Sequence, residues 1–265
     1  MKNSRSDPIH PTAIVSPQAE IAAGVTIGPY SIVEKDVVIG SGTVVGPHTV
    51  IKGPTVIGSR NRFIGQASVG TDPQDLKYKG EESFLSIGDD NVIREFVTLN
   101  RGTSGGGGKT SVGNGNLLMA GVHIAHDCHV GSRTILANAA TLAGHVEIGN
   151  DSTVGAFTGV HQFCRVGVHA FIGGYSVLTR DALPFVKTVG DRNEAKIYGI
   201  NALGLERKGL SAESIEDLRK AYRRLFQKGL KIREALQGVR EMGLRSPEVE
   251  ELLRFIETSE RGFVR

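Results

Sequence analysis

Hydrophobic residues recur along this chain every six positions. From Ile9, steps of six land on Val15, Ile21, Ile27, Val33, Ile39, Val45, Ile51, Ile57, Phe63 and Val69. The same phase then meets Asp75 and Glu81, and returns at Ile87, Ile93 and Leu99. A glycine run at 105–108 shifts it. From Val112 it continues at Leu118, Ile124, Val130, Leu136, Leu142, Ile148, Val154, Val160, Val166, Ile172 and Leu178. Four residues past each aliphatic the side chain is usually small, as at Ala13, Ala19, Ser31, Thr43, Ala67, Cys128, Thr134, Ala140, Cys164, Ala170 and Ser176. A helix needs a period near 3.6, and a plain strand alternates by two. One large and one small inward position per hexad instead suits a narrow prism of short strands. Three hexads make a coil, and coils stack at the strand spacing of about 4.8 Å. Chance spacing in an apolar-rich chain does not sustain so long a ladder.

The pattern predicts an all-β prism over 9–190 that is interrupted twice. TDPQDLKYKGEES (71–83, or 71–86 with its flank) and RGTSGGGGK (101–109, or 100–111) leave the repeat. A loop that leaves a regular prism has no packing reason to exist, and such loops often carry function. SGGGGKT is close to a phosphate-binding loop, but Thr103 stands where its first glycine belongs and the prism resumes at Val112. ATP binding is therefore discounted.

After about residue 190 the character changes, and 200–265 reads as a small helical domain. Ser211 can cap a helix with Ile215, Leu218, Tyr222, Leu225 and Phe226 at helical spacing. Ile232, Leu236 and Val239 predict a second helix. Ser246-Pro247-Glu248 opens a third, with apolar Val249, Leu252, Leu253 and Ile256. The first of these also carries Arg219, Lys220, Arg223, Arg224 and Lys228. They form either a solvated face or a dock for an acidic partner.

Composition narrows the function classes. The mix of 39% hydrophobic and 22% charged residues is that of an ordinary soluble protein. A net charge of +3 is too weak to imply a nucleic-acid partner. Glycine, with 35 copies, points to many tight turns. Cys128 and Cys164 make no disulfide framework. The start MKNSRSDP lacks the apolar stretch of a signal peptide, and no run approaches the roughly 18 apolar residues of a membrane span. The expected location is the cytoplasm.

HIAHDCH (123–129) is the densest chemistry. Register on the prism decides what it can do. His126 stacks with Gly144 and Gln162 one and two coils away, and His145 and His161 each lie one residue off that column. His123 and His129, six apart, fall on different faces, and Cys128 points inward. Four tetrahedral ligands for zinc do not come from this stretch alone. No two of the eight histidines are five apart, as the zinc hydratase built on such prisms would need. A general base suits it better, because a neutral imidazole is the usual base near pH 7. At a corner Asp127 can approach and orient the ring of His126. The Gly144 N–H can approach a developing oxyanion.

QDLKY (74–78), NLLMAGVHIAHDC (116–128), ILANAATLAGHVEIG (135–149) and GVHQFCRVG (159–167) carry a closer likeness. On them the chain resembles the hexapeptide-repeat acyltransferases. Within these it is similar to the acyl-(acyl-carrier-protein)–UDP-N-acetylglucosamine O-acyltransferases of the first step of lipid A synthesis. The likeness covers prism, loops and tail. It implies a left-handed parallel β-helix, against the usual right-handed crossover. It also implies transfer of a 3-hydroxyacyl chain from acyl carrier protein to the sugar 3-hydroxyl. His126 would be the general base, Asp127 its support and Gly144 the oxyanion donor. Asp75, Lys77, His123, His145, His161 and Gln162 would line the sugar and acyl cleft. Asn201 and Arg207 match nucleotide-binding positions, and Gly174 a position where a bulky residue shortens the acyl pocket. A homotrimer with sites between subunits, and neither metal nor bound cofactor, is implied, with the basic helix receiving the carrier protein. The uridine-binding domain that precedes the prism in the sister N-acyltransferases is not expected, since the ladder starts at Ile9. Leu203 stands where the best-known members have a glutamate, and 190–199 is two residues longer than in them. The alternatives are a related transferase using acetyl-CoA or a 3-amino sugar acceptor, and a binding β-helix without chemistry.

Overall fold

The computed structural model describes residues 8–191 and 194–265. The start read against a signal peptide, and residues 192–193 of the long 190–199 segment, lie outside the described residues. The described chain winds as a left-handed parallel β-helix with three walls of nine, eight and ten short strands. The first wall runs from Ile14–Val15 to Val177–Leu178, the second from Glu20–Ile21 to Arg165–Val166, and the third from Thr26–Ile27 to Lys196–Ile200. His123 pairs with Thr141, and Thr141 with Gly159, so an uninterrupted coil is the 18 residues that the hexads require.

The inward ladder forms one continuous core from Val25 to Leu178. A polar ladder runs inside it. Asn61 Oδ1 accepts from Asn91 N at 2.9 Å, Asn91 Oδ1 from Asn116 N at 2.8 Å, and Asn116 Oδ1 from Thr134 N at 2.7 Å. Each buried amide thus meets the next coil, as buried polar groups must. One expectation fails at the first coil. Ile9 is 37% exposed, and Val15 and Ile21 are only half-buried. Among the described residues the first coil has a neighbour on one side only.

The two departures from the repeat preserve the register. Ser68 pairs with Thr98, and Thr98 with His123, so the wall closes again across each excursion. The strands resume earlier than the broad spans suggest, at Phe84 and Lys109. Leu85 and Thr110 are buried there, so those residues belong to the wall.

Four helices follow: α1 Ala202–Arg207, α2 Ala212–Leu225, α3 Ile232–Glu241 and α4 Pro247–Glu257. Ser211 caps α2 by accepting from Ser214 N at 3.0 Å. The short α1 carries no apolar period of its own, and the sequence pattern missed it. The apolar faces of the helices close a second core that includes Leu183, Phe185, Leu205, Leu218, Ala235, Val239 and Leu253. The chain then turns back, and Val264 N donates to Asp181 O at 2.9 Å.

Candidate active site

Most corners of the prism have a residue in the left-handed backbone region. On the corner between the first and second walls these are Asp127 (φ 59), His145 (φ 63) and Phe163 (φ 63), one coil apart. Non-glycine residues enter this region only where surrounding structure demands it. Here it turns three side chains into one column. The His145 and Phe163 rings stack at 4.4 Å, close to the strand spacing.

His126 precedes the column. Its Nδ1 lies 2.8 Å from Asp127 Oδ2. Asp127 is buried, and its Oδ1 also accepts from Thr103 N at 2.8 Å and its Oδ2 from Thr103 Oγ1 at 2.7 Å. Its own N–H donates to Thr110 Oγ1 at 2.8 Å. A carboxylate only accepts, so the proton between it and the imidazole sits on Nδ1. The Nε2 lone pair is then free. Gly144 lies beside the ring, and its N–H donates no hydrogen bond among the described residues.

His123 Nδ1 is 2.7 Å from Thr98 Oγ1 on the outer face of the first wall. Burial, and then the charge of His126, hold its pKa below the ordinary imidazole value. His145 Nε2 stands 3.8 Å from Asp127 Oδ2, and its ring meets that of His126 edge-on at 5.2 Å. Burial lowers the His145 pKa; the Asp127 and Asp75 carboxylates oppose it, and the net shift is downward. Asp75 is therefore within electrostatic reach of this corner. It accepts from Lys77 N at 2.9 Å, and Lys77 itself is exposed. His161 and the exposed Gln162 continue the corner one coil further, with His161 Nδ1 3.5 Å from Arg261 Nη2 of the C-terminal tail.

His126, Asp127 and His145 place ligand atoms within 4.8 Å of one another, which is metal-like spacing. Both Asp127 oxygens are already engaged by Thr103, and one by His126. The cluster is therefore built as a hydrogen-bonded imidazole rather than as an open ligand set.

Three expected residues lie elsewhere on the chain. Asn201 and Arg207 line a cavity of about 620 Å³ beside the corner between the second and third walls, with Asp151, His169, Lys187, Leu203 and Lys208. Asp151 is drawn up in pKa by burial, but hydrogen bonds from Arg133 at 2.7 Å and Lys208 at 3.1 Å outweigh this and hold it low. Gly174 sits on the third corner, between the third and first walls. One chain thus divides the expected site among three corners. On α2 the expected basic face is partly neutralised: Glu216 pairs with Arg219 and Arg223, and Asp217 with Lys220.

Thr103, Thr110, Thr98 and Phe163 escaped the sequence reading. Phe163 was within reach of it, being 18 residues from His145. Thr103 had no periodic signal to betray it.

Two family models match the chain. That of the UDP-N-acetylglucosamine O-acyltransferase second domain matches 181–264, and that of the bacterial transferase hexapeptide matches 18–53 and 109–144. A Xylella fastidiosa relative named acyl-(acyl-carrier-protein)–UDP-N-acetylglucosamine O-acyltransferase is 48% identical over 263 residues, covering 99% of this chain and 100% of its own. The chain belongs to this O-acyltransferase family. Among solved structures, LpxA from Acinetobacter baumannii superposes with a TM-score of 0.93 at 46% identity, covering 98% of this chain and 100% of its own. The UDP-N-acetylglucosamine O-acyltransferase of Moraxella catarrhalis gives 0.92 at 46% identity, covering 97% and 100%. In this O-acyltransferase the corner of His126 is where, among the described residues, an imidazole hydrogen-bonds to a buried carboxylate.

Proposed function

We propose that this chain transfers a 3-hydroxyacyl group from acyl carrier protein to the 3-hydroxyl of UDP-N-acetylglucosamine, the first step of lipid A synthesis, with His126 as general base. The observation that carries the assignment of His126 is its Nδ1 bond to a fully engaged Asp127, which leaves Nε2 as the acceptor beside the free N–H of Gly144.

The chemistry follows from that geometry. Nε2 takes the proton as the sugar 3-oxygen attacks the thioester carbonyl. A C–O bond forms, and the carbonyl oxygen becomes an oxyanion facing the Gly144 N–H. Asp127 stabilises the imidazolium. Collapse breaks the C–S bond, and the leaving thiolate receives the proton from Nε2. The products are the 3-O-acyl sugar nucleotide and the free carrier thiol. No cofactor enters the balance.

Asp75, Lys77, His123, His145, His161 and Gln162 are assigned to the cleft around this corner. Asn201 and Arg207 are assigned to the nucleotide and Gly174 to the acyl chain. Their separation onto other corners supports a homotrimer, in which a neighbouring chain brings its own second corner to the first chain's His126. No helix among the described residues is long and apolar enough to cross a membrane. The reading places the enzyme in the cytoplasm with its carrier protein.

The test is a panel assay with UDP-N-acetylglucosamine and carrier proteins bearing hydroxyacyl chains of several lengths. His126→Ala is expected to retain its fold and lose about 10²–10⁴-fold in kcat, the usual scale of general-base catalysis. Near-full activity in that variant would overturn the base. Consumption of acetyl-CoA alone would overturn the donor. With the 3-amino analogue supplied as a second acceptor, acylation of that analogue alone would overturn the acceptor.

A further inference from the structure

We propose that Thr103 is a positioning residue for acyl transfer: it holds the Asp127 carboxylate in the orientation through which Asp127 fixes His126. The inference rests on the reading of His126 as the base.

Thr103 grips Asp127 with two donors from a single residue. Its backbone N–H reaches Oδ1 at 2.8 Å and its hydroxyl reaches Oδ2 at 2.7 Å. The residue is extended (φ −124, ψ 155), which sets N–H and hydroxyl side by side against the two carboxylate oxygens. Both partners are shielded: Thr103 is 6% exposed and Asp127 is 2% exposed. In such surroundings hydrogen bonds to a charged group are the strong ones.

The local structure argues that this hydroxyl is committed to Asp127 and not to its own loop. Thr103 is the N-cap of the short 3₁₀ turn Ser104–Gly106, where threonine would ordinarily cap with its side chain. It makes no such bond. Its carbonyl closes the loop instead, accepting from Gly106 N at 3.0 Å and Gly108 N at 2.7 Å. Gly106 passes so close to the Asp127 carboxylate that a Cβ there would collide with Cγ. The 101–109 excursion is thus folded down on Asp127 from outside the prism wall.

The shared oxygen gives the mechanism. Oδ2 accepts from both the Thr103 hydroxyl and His126 Nδ1, at 2.7 and 2.8 Å. Removing the hydroxyl leaves one oxygen with the imidazole alone and lets the carboxylate turn about its remaining bond from Thr103 N. The ring loses its fixed aim at Gly144.

The test compares Thr103→Val, Thr103→Ser, Asp127→Asn and the double variant Thr103→Val/Asp127→Asn. Thr103→Val keeps shape and backbone N–H but loses the hydroxyl. It is expected to lose about tenfold in kcat, the effect of roughly one neutral-to-charged hydrogen bond, with KM for UDP-N-acetylglucosamine unchanged. Thr103→Ser, which keeps the hydroxyl, should restore kcat. In the Asp127→Asn background the second substitution should cost nothing further, since Thr103 acts only through that carboxylate. A purely structural role predicts equal losses in both backgrounds, and that result, or a raised KM with kcat kept, overturns the proposal. If Thr103→Val alone is poorly folded, the same cycle measured on folded fractions decides the question. Full activity in Thr103→Val with an inactive His126→Ala would sink this inference alone. Full activity in His126→Ala would sink the base reading beneath it.

Discussion

The ring of His126 lies against Gly144 so closely that a Cβ on residue 144 would sit 2.5 Å from Cε1. The two residues are one coil apart, and the glycine is the space the imidazole occupies. Gly144→Ala should leave the wall intact, because Gly144 is outside the left-handed region and Phe163 N still reaches its carbonyl. The added methyl must push the ring off its line. Displacement of a reacting group by about 1 Å can cost 10²-fold. A kcat loss of about that size, with an unchanged circular dichroism spectrum and melting temperature, is the expected outcome.

Acid should loosen the fold through His123 and His145. Both imidazoles have pKa values lowered in the folded state, with burial as the first cause. The unfolded chain binds their protons more readily, so their contribution to stability is complete above the ordinary imidazole value of about 6.5 and is lost as pH falls below it. Melting temperatures taken from pH 8 to pH 5 should decline on the acid side. His123→Gln should flatten that decline, and an unchanged slope would remove His123 from the explanation.

Arg101 fastens the 71–83 excursion. Its buried guanidinium donates to Gly70 O at 2.5 Å, Asp72 Oδ1 at 2.6 Å and Tyr78 Oη at 3.2 Å. Asp75 and Lys77 ride on the segment so held. Arg101→Ala should destabilise by about 1–3 kcal/mol, the scale for orphaning buried hydrogen-bonding groups. It should raise KM for the sugar nucleotide more than it lowers kcat. Proteolytic nicking within 72–83 should quicken. Unaltered KM would mean that the loop does not need this clasp.

Mixed oligomers test the division of the site among corners. His126→Ala and Arg207→Ala chains are each expected to be weak at low UDP-N-acetylglucosamine. Co-expressed, they should form some clefts with an intact His126 from one chain and an intact Arg207 from its neighbour. Activity well above either parent is the expected result. Simple averaging would place both residues of a working site on the same chain.

The wall was legible in the sequence because a prism repeats one environment. Ile124, Leu142 and Val160 each face the same axis, so six-residue spacing alone orders them. His126 and Gly144 were found by the same arithmetic. Thr103 was not, because the 101–109 segment has no period and its target lies 24 positions along the chain. Helix α1 was missed for a related reason: six residues hold too few apolar positions to show a face. Ile9 shows the limit of periodicity from the other side. It keeps the ladder's phase yet stays 37% exposed, because a pattern records which way a side chain points and not whether another coil covers it.

The return of the wall to register after each excursion has a consequence for how such enzymes diverge. Ser68 meets Thr98 and Thr98 meets His123 whatever lies between them. Foldability is stored in the coils, and the excursions add side chains that the coils do not read. Segment 71–83 can therefore be exchanged, lengthened or cut back as a cassette without renegotiating the architecture. The 101–109 segment has less of that freedom, since it must still present one threonine to one aspartate.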